Sequence, residues 1–334
     1  MKNIAVYGFG RIGRQLVRSA VKNDLFFPSV ICDIAPAGDL AALLEVDTNY
    51  GWWPAVSSDD DTSISIDGRR ITYINSREGV PDWKALGIDL VVDCTGRGVT
   101  REAAERHLAN GAERVLISGP SKTAEDCDAV LLPGINLDDY NSDTHKIISM
   151  ASCTTNALAA VVKVLLESTG IQYGVFSTVH AYTNTQSLTD QPMKSRRDSW
   201  AGAENIIPSS SGAAKALGFV WPDLKITGKA YRVPVRTGSI VELNVIPERE
   251  IATEDLRDAF RQAAATGPLK GILEVFEDEW TSARIVGDPH SSIVDLPLTQ
   301  SFNGMVSVAA WYDNEAGFSM RLAETAVRLA STDC

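Results

Sequence analysis

The first half of the chain alternates short apolar runs with amphipathic stretches, the pattern left by strands exchanging with helices. Residues 2–6 read as a strand, residues 15–21 as an amphipathic helix, and residues 29–32 as a second strand ending at Asp33. Leu40, Leu43 and Leu44 predict a helix between residues 39 and 46, and a turn-rich loop follows over residues 47–54. Residues 63–74 alternate around Asp67-Gly68, which predicts a hairpin. Residues 90–96 form a continuous apolar run closing on small residues, as expected of a strand covered on both faces of a parallel sheet. Residues 101–109 read as a helix, and residues 114–118, 129–132 and 146–149 as further strands. This order predicts an α/β, Rossmann-type doubly wound domain.

Beyond residue 151 the pattern changes. Ala157 to Val162 is an apolar run that reads as a buried helix, and residues 173–180 read as a strand ending in His180. Residues 183–211 are polar with little periodicity, and a loop of that length inside a domain is functional or interface-forming. Strand-like runs then dominate at residues 226–234, 239–246, 271–275 and 305–312, with one helix at residues 254–265. The expectation is an α+β domain, a mostly antiparallel sheet with helices on one face. The last predicted helix, residues 316–330, carries Met320, Ala323 and Val327 on one side and is long enough to dock back on the first domain. The boundaries expected are therefore 1–151 with 316–334 for one domain, and 152–315 for the other.

Composition narrows the function. A 334-residue chain exceeds one usual core, and a net charge of −12 argues against nucleic-acid or anionic-membrane partners. Five scattered cysteines (32, 94, 127, 153, 334) without a C-x-x-C give neither a disulfide framework nor a metal site, and fit a reducing cytosol. Met1-Lys2 leads straight into a strand rather than a secretory signal, and no apolar run is long enough to span a membrane. A soluble cytoplasmic protein is expected.

Two stretches carry chemistry. Gly8-Phe9-Gly10-Arg11-Ile12-Gly13 lies between a strand and a helix, the dinucleotide fingerprint. Its glycines permit the tight turn, the approach of the pyrophosphate and close helix packing, so that helix N-terminal amides hold the phosphates. Asp33, at the end of the second strand, suits a ribose 2′-hydroxyl and repels a 2′-phosphate, which favours NAD over NADP. The second stretch, Ser152-Cys153-Thr154-Thr155-Asn156, puts a thiol at a helix start, where amides and dipole favour the nucleophilic thiolate.

Together with the tail Trp311-Tyr312-Asp313-Asn314-Glu315, these motifs resemble the phosphorylating glyceraldehyde-3-phosphate dehydrogenase family over essentially the full length. Ser118-Gly119-Pro120-Ser121, His180-Ala181-Tyr182-Thr183, the run from Asn205 to Ala214 and Arg232-Val233-Pro234 fall in family order. The resemblance implies Cys153 as nucleophile and His180 as its base. It implies Gly8, Gly10, Arg11, Ile12, Gly13, Asp33, Arg77, Ser118 and Asn314 around NAD. It implies Thr183 and Arg232 for the phosphate of a phosphorylated aldehyde, and Ser152, Thr154, Ser211 and Gly212 for an attacking inorganic phosphate. It implies that the long loop reaches a neighbouring subunit in a homotetramer, and it implies no metal.

The chain departs from the family in several places. Tyr7 stands where most members carry Asn, Cys32-Asp33 where they carry Asn-Asp, and Ala157 where they carry a second Cys. Tyr50 stands where the family often has His, followed by Trp52 and Trp53. Trp200 occupies the place of an arginine beside the attacking phosphate, and one indole N–H cannot replace a guanidinium fork. Either Arg196 or Arg197 compensates, or phosphate binds weakly, or another acceptor or substrate is used. The alternatives are thus a related dehydrogenase of another phosphorylated aldehyde such as erythrose 4-phosphate, whose enzymes hydrolyse the thioester, and a non-catalytic NAD-binding or RNA-binding module.

Overall fold

The structure is a computed structural model that describes residues 2–58 and 60–331; Cys334 lies outside the described residues. The chain divides into two compact units, Met1–Ala151 with Ser319–Cys334, and Ser152–Phe318.

The first unit runs β1 (Ile4–Tyr7), α1 (Arg11–Lys22), β2 (Val30–Asp33), α2 (Ala37–Glu45), a small ribbon of β3 (Val46–Asp47) and β4 (Gly51–Trp52), and β5 (Val56–Ser57). It continues with β6 (Ser63–Ile66), β7 (Arg69–Asn75), β8 (Leu90–Asp93), α3 (Arg101–Ala109), β9 (Arg114–Ile117), β10 (Ala129–Val130) and β11 (Ile147–Ser149). Nine strands form one sheet in the order β10-β11-β9-β8-β1-β2-β7-β6-β5, parallel from β10 to β7. The expected hairpin is β6–β7, antiparallel, and its turn residues Asp67 and Gly68 take left-handed φ of 50° and 74°. The expected strand at residues 129–132 shrinks to two residues. Chain order reverses between β1 and β8, so the carboxyl ends of these strands flank a switch point, where α/β sheets bind ligands.

The second unit comprises α4 (Cys153–Ser168), β12 (Tyr173–Ala181), β13 (Ile207–Ser210), α5 (Ala213–Val220), β14 (Ile226–Val233), β15 (Ser239–Ile246) and α6 (Thr253–Ala265). It ends with β16 (Leu273–Phe276), β17 (Ser292–Phe302), β18 (Met305–Tyr312) and the start of α7 (Ala316–Ala330). Its seven strands are ordered β13-β14-β12-β15-β18-β17-β16, antiparallel except at β12–β14 and β16–β17. Val241, Leu243 and Val245 of β15 point inward, and α4 and α6 pack on the sheet.

Three elements depart from the sequence reading. The segment expected to be one long loop contains β13, and α5 follows it directly. The eleven-residue strand β17 is not legible from periodicity, because Asp295 and Pro297 interrupt its apolar pattern and the register shifts between Asp295 and Gln300. On α7 the buried stripe is Leu322, Ala323, Ala326, Leu329 and Ala330, rather than the stripe of Met320, Ala323 and Val327. From Ser319 onward α7 belongs to the first unit, where Thr325 Oγ1 contacts Met150 Sδ at 3.1 Å.

Candidate active site

The glycine loop has the shape its sequence suggests. Gly8 has φ +91°, and a Cβ there would come within 2.7 Å of the Thr95 nitrogen. A Cβ on Gly13 would lie 2.2 Å from the Gly8 carbonyl oxygen, so α1 packs on the loop only because that position is bare. A Cβ on Gly10 meets nothing within 4 Å. Gly10 is the N-cap of α1 and brings no side chain to the first helical amides of Arg11 and Ile12. A cradle open at its middle glycine, with helix amides behind it, fits a pyrophosphate.

Asp33 completes this end of the sheet. Its Oδ2 accepts from the Phe9 amide at 2.6 Å, and its Oδ1 from the amides of Ile34 at 2.7 Å and Ala35 at 3.1 Å. Arg77 donates to the Ile34 carbonyl at 3.1 Å, and the Ser118 amide to the Asp93 carbonyl at 3.0 Å. The Arg11 guanidinium turns away from the loop to the Asp47 carboxylate, with contacts of 3.1 and 3.2 Å. Arg11 therefore offers a dinucleotide its backbone rather than its charge.

The second cluster is in the other unit. Ser152 caps α4, its Oγ accepting from the Thr155 amide at 3.1 Å, which puts Cys153 on the first helical turn. Cys153 Sγ is 3.4 Å from His180 Nε2, near the end of β12. The parallel register of β12 and β14 sets Arg232 opposite His180, and Arg232 Nη1 lies 2.5 Å from His180 Nδ1. Nδ1 is also 2.7 Å from the Ala181 carbonyl. A guanidinium only donates and a carbonyl only accepts, so Nδ1 meets Arg232 as a bare nitrogen or Ala181 as an N–H, and the imidazole tautomer decides which of the two contacts is the hydrogen bond.

Electrostatics correct one expectation. Burial pushes the Cys153 thiol up from its ordinary value rather than down. Arg232, the Thr154 hydroxyl and the amides of the helix start pull against burial without overcoming it. Burial, and then the Arg232 charge, push His180 down to about 3, which holds the imidazole neutral.

The remaining expected residues spread around this pair. Thr154 hydrogen-bonds Tyr312 Oη at 2.9 Å, Tyr312 reaches Thr178 at 2.8 Å, and Thr178 donates to the Ile240 carbonyl at 3.1 Å. With one proton per hydroxyl, all three bonds form only if Thr154 donates to Tyr312 and Tyr312 to Thr178. Sequence reasoning misses Tyr312 and Thr178 as site residues; the tail motif contains Tyr312, but only the fold pairs it with Thr154. Thr183 leans on Gln186, whose Oε1 accepts from its amide at 3.0 Å. Ser211 Oγ accepts from the Ala213 amide at 3.3 Å, and Gly212 is the N-cap of α5. Among the described residues no hydrogen bond joins Thr183, Ser211 or Gly212 to the Cys153–His180–Arg232 trio. Asn314 is buried, its Oδ1 accepting from the Gly238 amide at 3.2 Å and the Ser239 hydroxyl at 3.1 Å. Trp200 is 51% exposed, and Arg196 and Arg197 beside it are exposed as well.

Residues 2–101 match the family profile described as "Glyceraldehyde 3-phosphate dehydrogenase, NAD binding domain", and residues 152–314 match that of the C-terminal domain. The chain belongs to the glyceraldehyde-3-phosphate dehydrogenase family. It is 45% identical to the glyceraldehyde-3-phosphate dehydrogenase of Kitasatospora aureofaciens, over 99% of this chain and 100% of that protein. The Streptomyces coelicolor protein of the same name is 42% identical over 97% of each chain. Glyceraldehyde-3-phosphate dehydrogenase 1 of Bacillus cereus is 41% identical over 99% of each. The family's cofactor is NAD, and the first unit is its Rossmann domain. Among the described residues no helix is long and apolar enough to cross a membrane.

Proposed function

We propose that this protein oxidises glyceraldehyde 3-phosphate with NAD and inorganic phosphate to 1,3-bisphosphoglycerate, through a thioester on Cys153. The observation that carries this reading is the 3.4 Å approach of Cys153 Sγ to His180 Nε2 at a capped helix start. Gly8 to Gly13, Asp33, Arg77, Ser118 and the Asn314 amide would hold NAD, which would supply the hydride acceptor. The Cys153 sulfur adds to the aldehyde carbon and gives a hemithioacetal. His180 takes the hydroxyl proton as the hydride leaves, and the carbon becomes an acyl thioester. Phosphate, held by Ser152, the Thr154 amide, Ser211 and Gly212, attacks the thioester, and the sulfur leaves as thiolate. Thr183 and Arg232 hold the substrate's own phosphate.

The test is NADH formation across a panel of phosphorylated aldehydes, with and without phosphate or arsenate. Glyceraldehyde 3-phosphate with an absolute need for either anion is the expected result. Activity on erythrose 4-phosphate without any acceptor anion points instead to thioester hydrolysis, the reading that Trp200 favours. Trp200→Arg is expected to lower the KM for phosphate roughly 10- to 100-fold, the worth of a charge-assisted hydrogen bond to an anion. An unchanged phosphate dependence removes Trp200 from the phosphate site.

The segment of residues 183–211 exposes Leu188, Met193, Trp200 and Ile206, which suits a subunit interface in a homotetramer. Sedimentation of the wild type at four times the chain mass is the expected result. Free, buried Cys32, Cys94 and Cys127 suit a reducing cytoplasm.

A further inference from the structure

The glycine loop rests on a turn whose shape is fixed from beneath. Gly8 lies against Thr95, and Thr95 is held by Asp93. Asp93 Oδ1 accepts from the Thr95 amide at 2.8 Å and from its hydroxyl at 2.6 Å. Asp93 is buried, where a carboxylate needs donors on both oxygens. Its Oδ2 faces His107 Nε2, on α3, at 3.5 Å. On the far side of the ring the indole of Trp83, fully buried, donates from Nε1 to His107 Nδ1 at 3.1 Å.

An indole N–H only donates, so His107 Nδ1 is bare and the single imidazole proton sits on Nε2, the nitrogen nearer Asp93. Tyr7, paired with Asp93 across β1 and β8, closes the cage edge-on against His107 with ring centroids 4.7 Å apart.

We propose that His107 is a positioning residue for the dinucleotide. Fixed by Trp83 as the neutral Nε2–H tautomer, it anchors Asp93, and through Asp93 the turn on which the Gly8 loop rests. It touches no reacting atom. The proposal rests on the reading of Gly8 to Gly13 as the phosphate-binding loop.

The test is NAD binding to the whole protein by titration calorimetry, with steady-state kinetics beside it, NAD varied at saturating aldehyde and phosphate. His107→Leu removes both the acceptor for Trp83 and the ring nitrogen that faces Asp93, and the Kd and KM for NAD are expected to rise about tenfold, the order of the cost of leaving a buried carboxylate oxygen without a polar neighbour. kcat and the KM for aldehyde stay unchanged. His107→Gln presents an amide oxygen to Trp83 and an amide N–H to Asp93, and recovers most of the lost NAD affinity. Parallel loss of kcat and both KM values with Gln no better than Leu overturns the proposal, as does a wild-type KM for NAD in His107→Leu. If the Leu variant does not fold, Trp83→Phe carries the test, and an unchanged KM for NAD there overturns it. Gly10→Val separates the two readings. NAD binding that survives Gly10→Val sinks the loop assignment, whereas its loss beside a wild-type KM in His107→Leu sinks only the role of His107.

Discussion

Replacing Cys153 by alanine is expected to end NADH formation while NAD binding persists. The nucleophile is the one group in the proposed route with no substitute, since the hemithioacetal and the thioester both need a sulfur–carbon bond. Removal of a nucleophile elsewhere costs on the order of 10⁶-fold in kcat. Cys153→Ser is expected to fare little better, because a hydroxyl does not ionise near neutral pH and α4 offers only N-terminal amides in compensation. Mass spectrometry checks the intermediate directly. With aldehyde and NAD but no phosphate, the wild type gains an acyl mass on Cys153 and Cys153→Ala gains none. Sustained turnover by Cys153→Ala would falsify the thioester route. It would leave the Gly8 loop and Asp33 untouched as a dinucleotide site.

What the sequence made legible was local. Gly8, Gly10 and Gly13 are read from six consecutive residues, and their backbone demands follow from the strand before them and the helix after them. The Asp67-Gly68 turn and the Ser152 cap are of the same kind. What it did not show depends on partners far apart in the chain. Arg232 reaches His180 because β14 runs parallel to β12 in one register, and Thr154 reaches Tyr312 because the start of α4 packs on the end of β18. The His107–Trp83 bond needs α3 laid against the core of the first unit. The thiol is the instructive failure. A helix start argues for a lowered pKa, but desolvation is set by everything packed around Cys153, and it outweighs the amides and the Arg232 charge.

His180→Asn is expected to cut kcat by about 10²- to 10⁴-fold, the usual worth of a positioned general base. Arg232→Leu asks the finer question of how that base is held. Burial is the first cause of the lowered pKa of His180 and the Arg232 charge the second, so deleting the charge moves the imidazole up from about 3. The base works as the neutral imidazole, so a higher pKa shifts the acid limb of kcat/KM to higher pH. Cys153 also loses a cation that stabilises its thiolate, so its pKa rises further and alkylation at a fixed pH slows. An arginine that served only to anchor the substrate's phosphate would raise the KM for aldehyde and move neither profile. The same geometry tells how substrate prepares the base. A phosphate that draws Arg232 off Nδ1 lets that nitrogen donate to the Ala181 carbonyl, 2.7 Å away, and leaves Nε2 free to take a proton. Aldehydes without a phosphate are therefore expected to lose kcat as well as affinity, and a loss confined to KM would show that Arg232 stays on His180 throughout turnover.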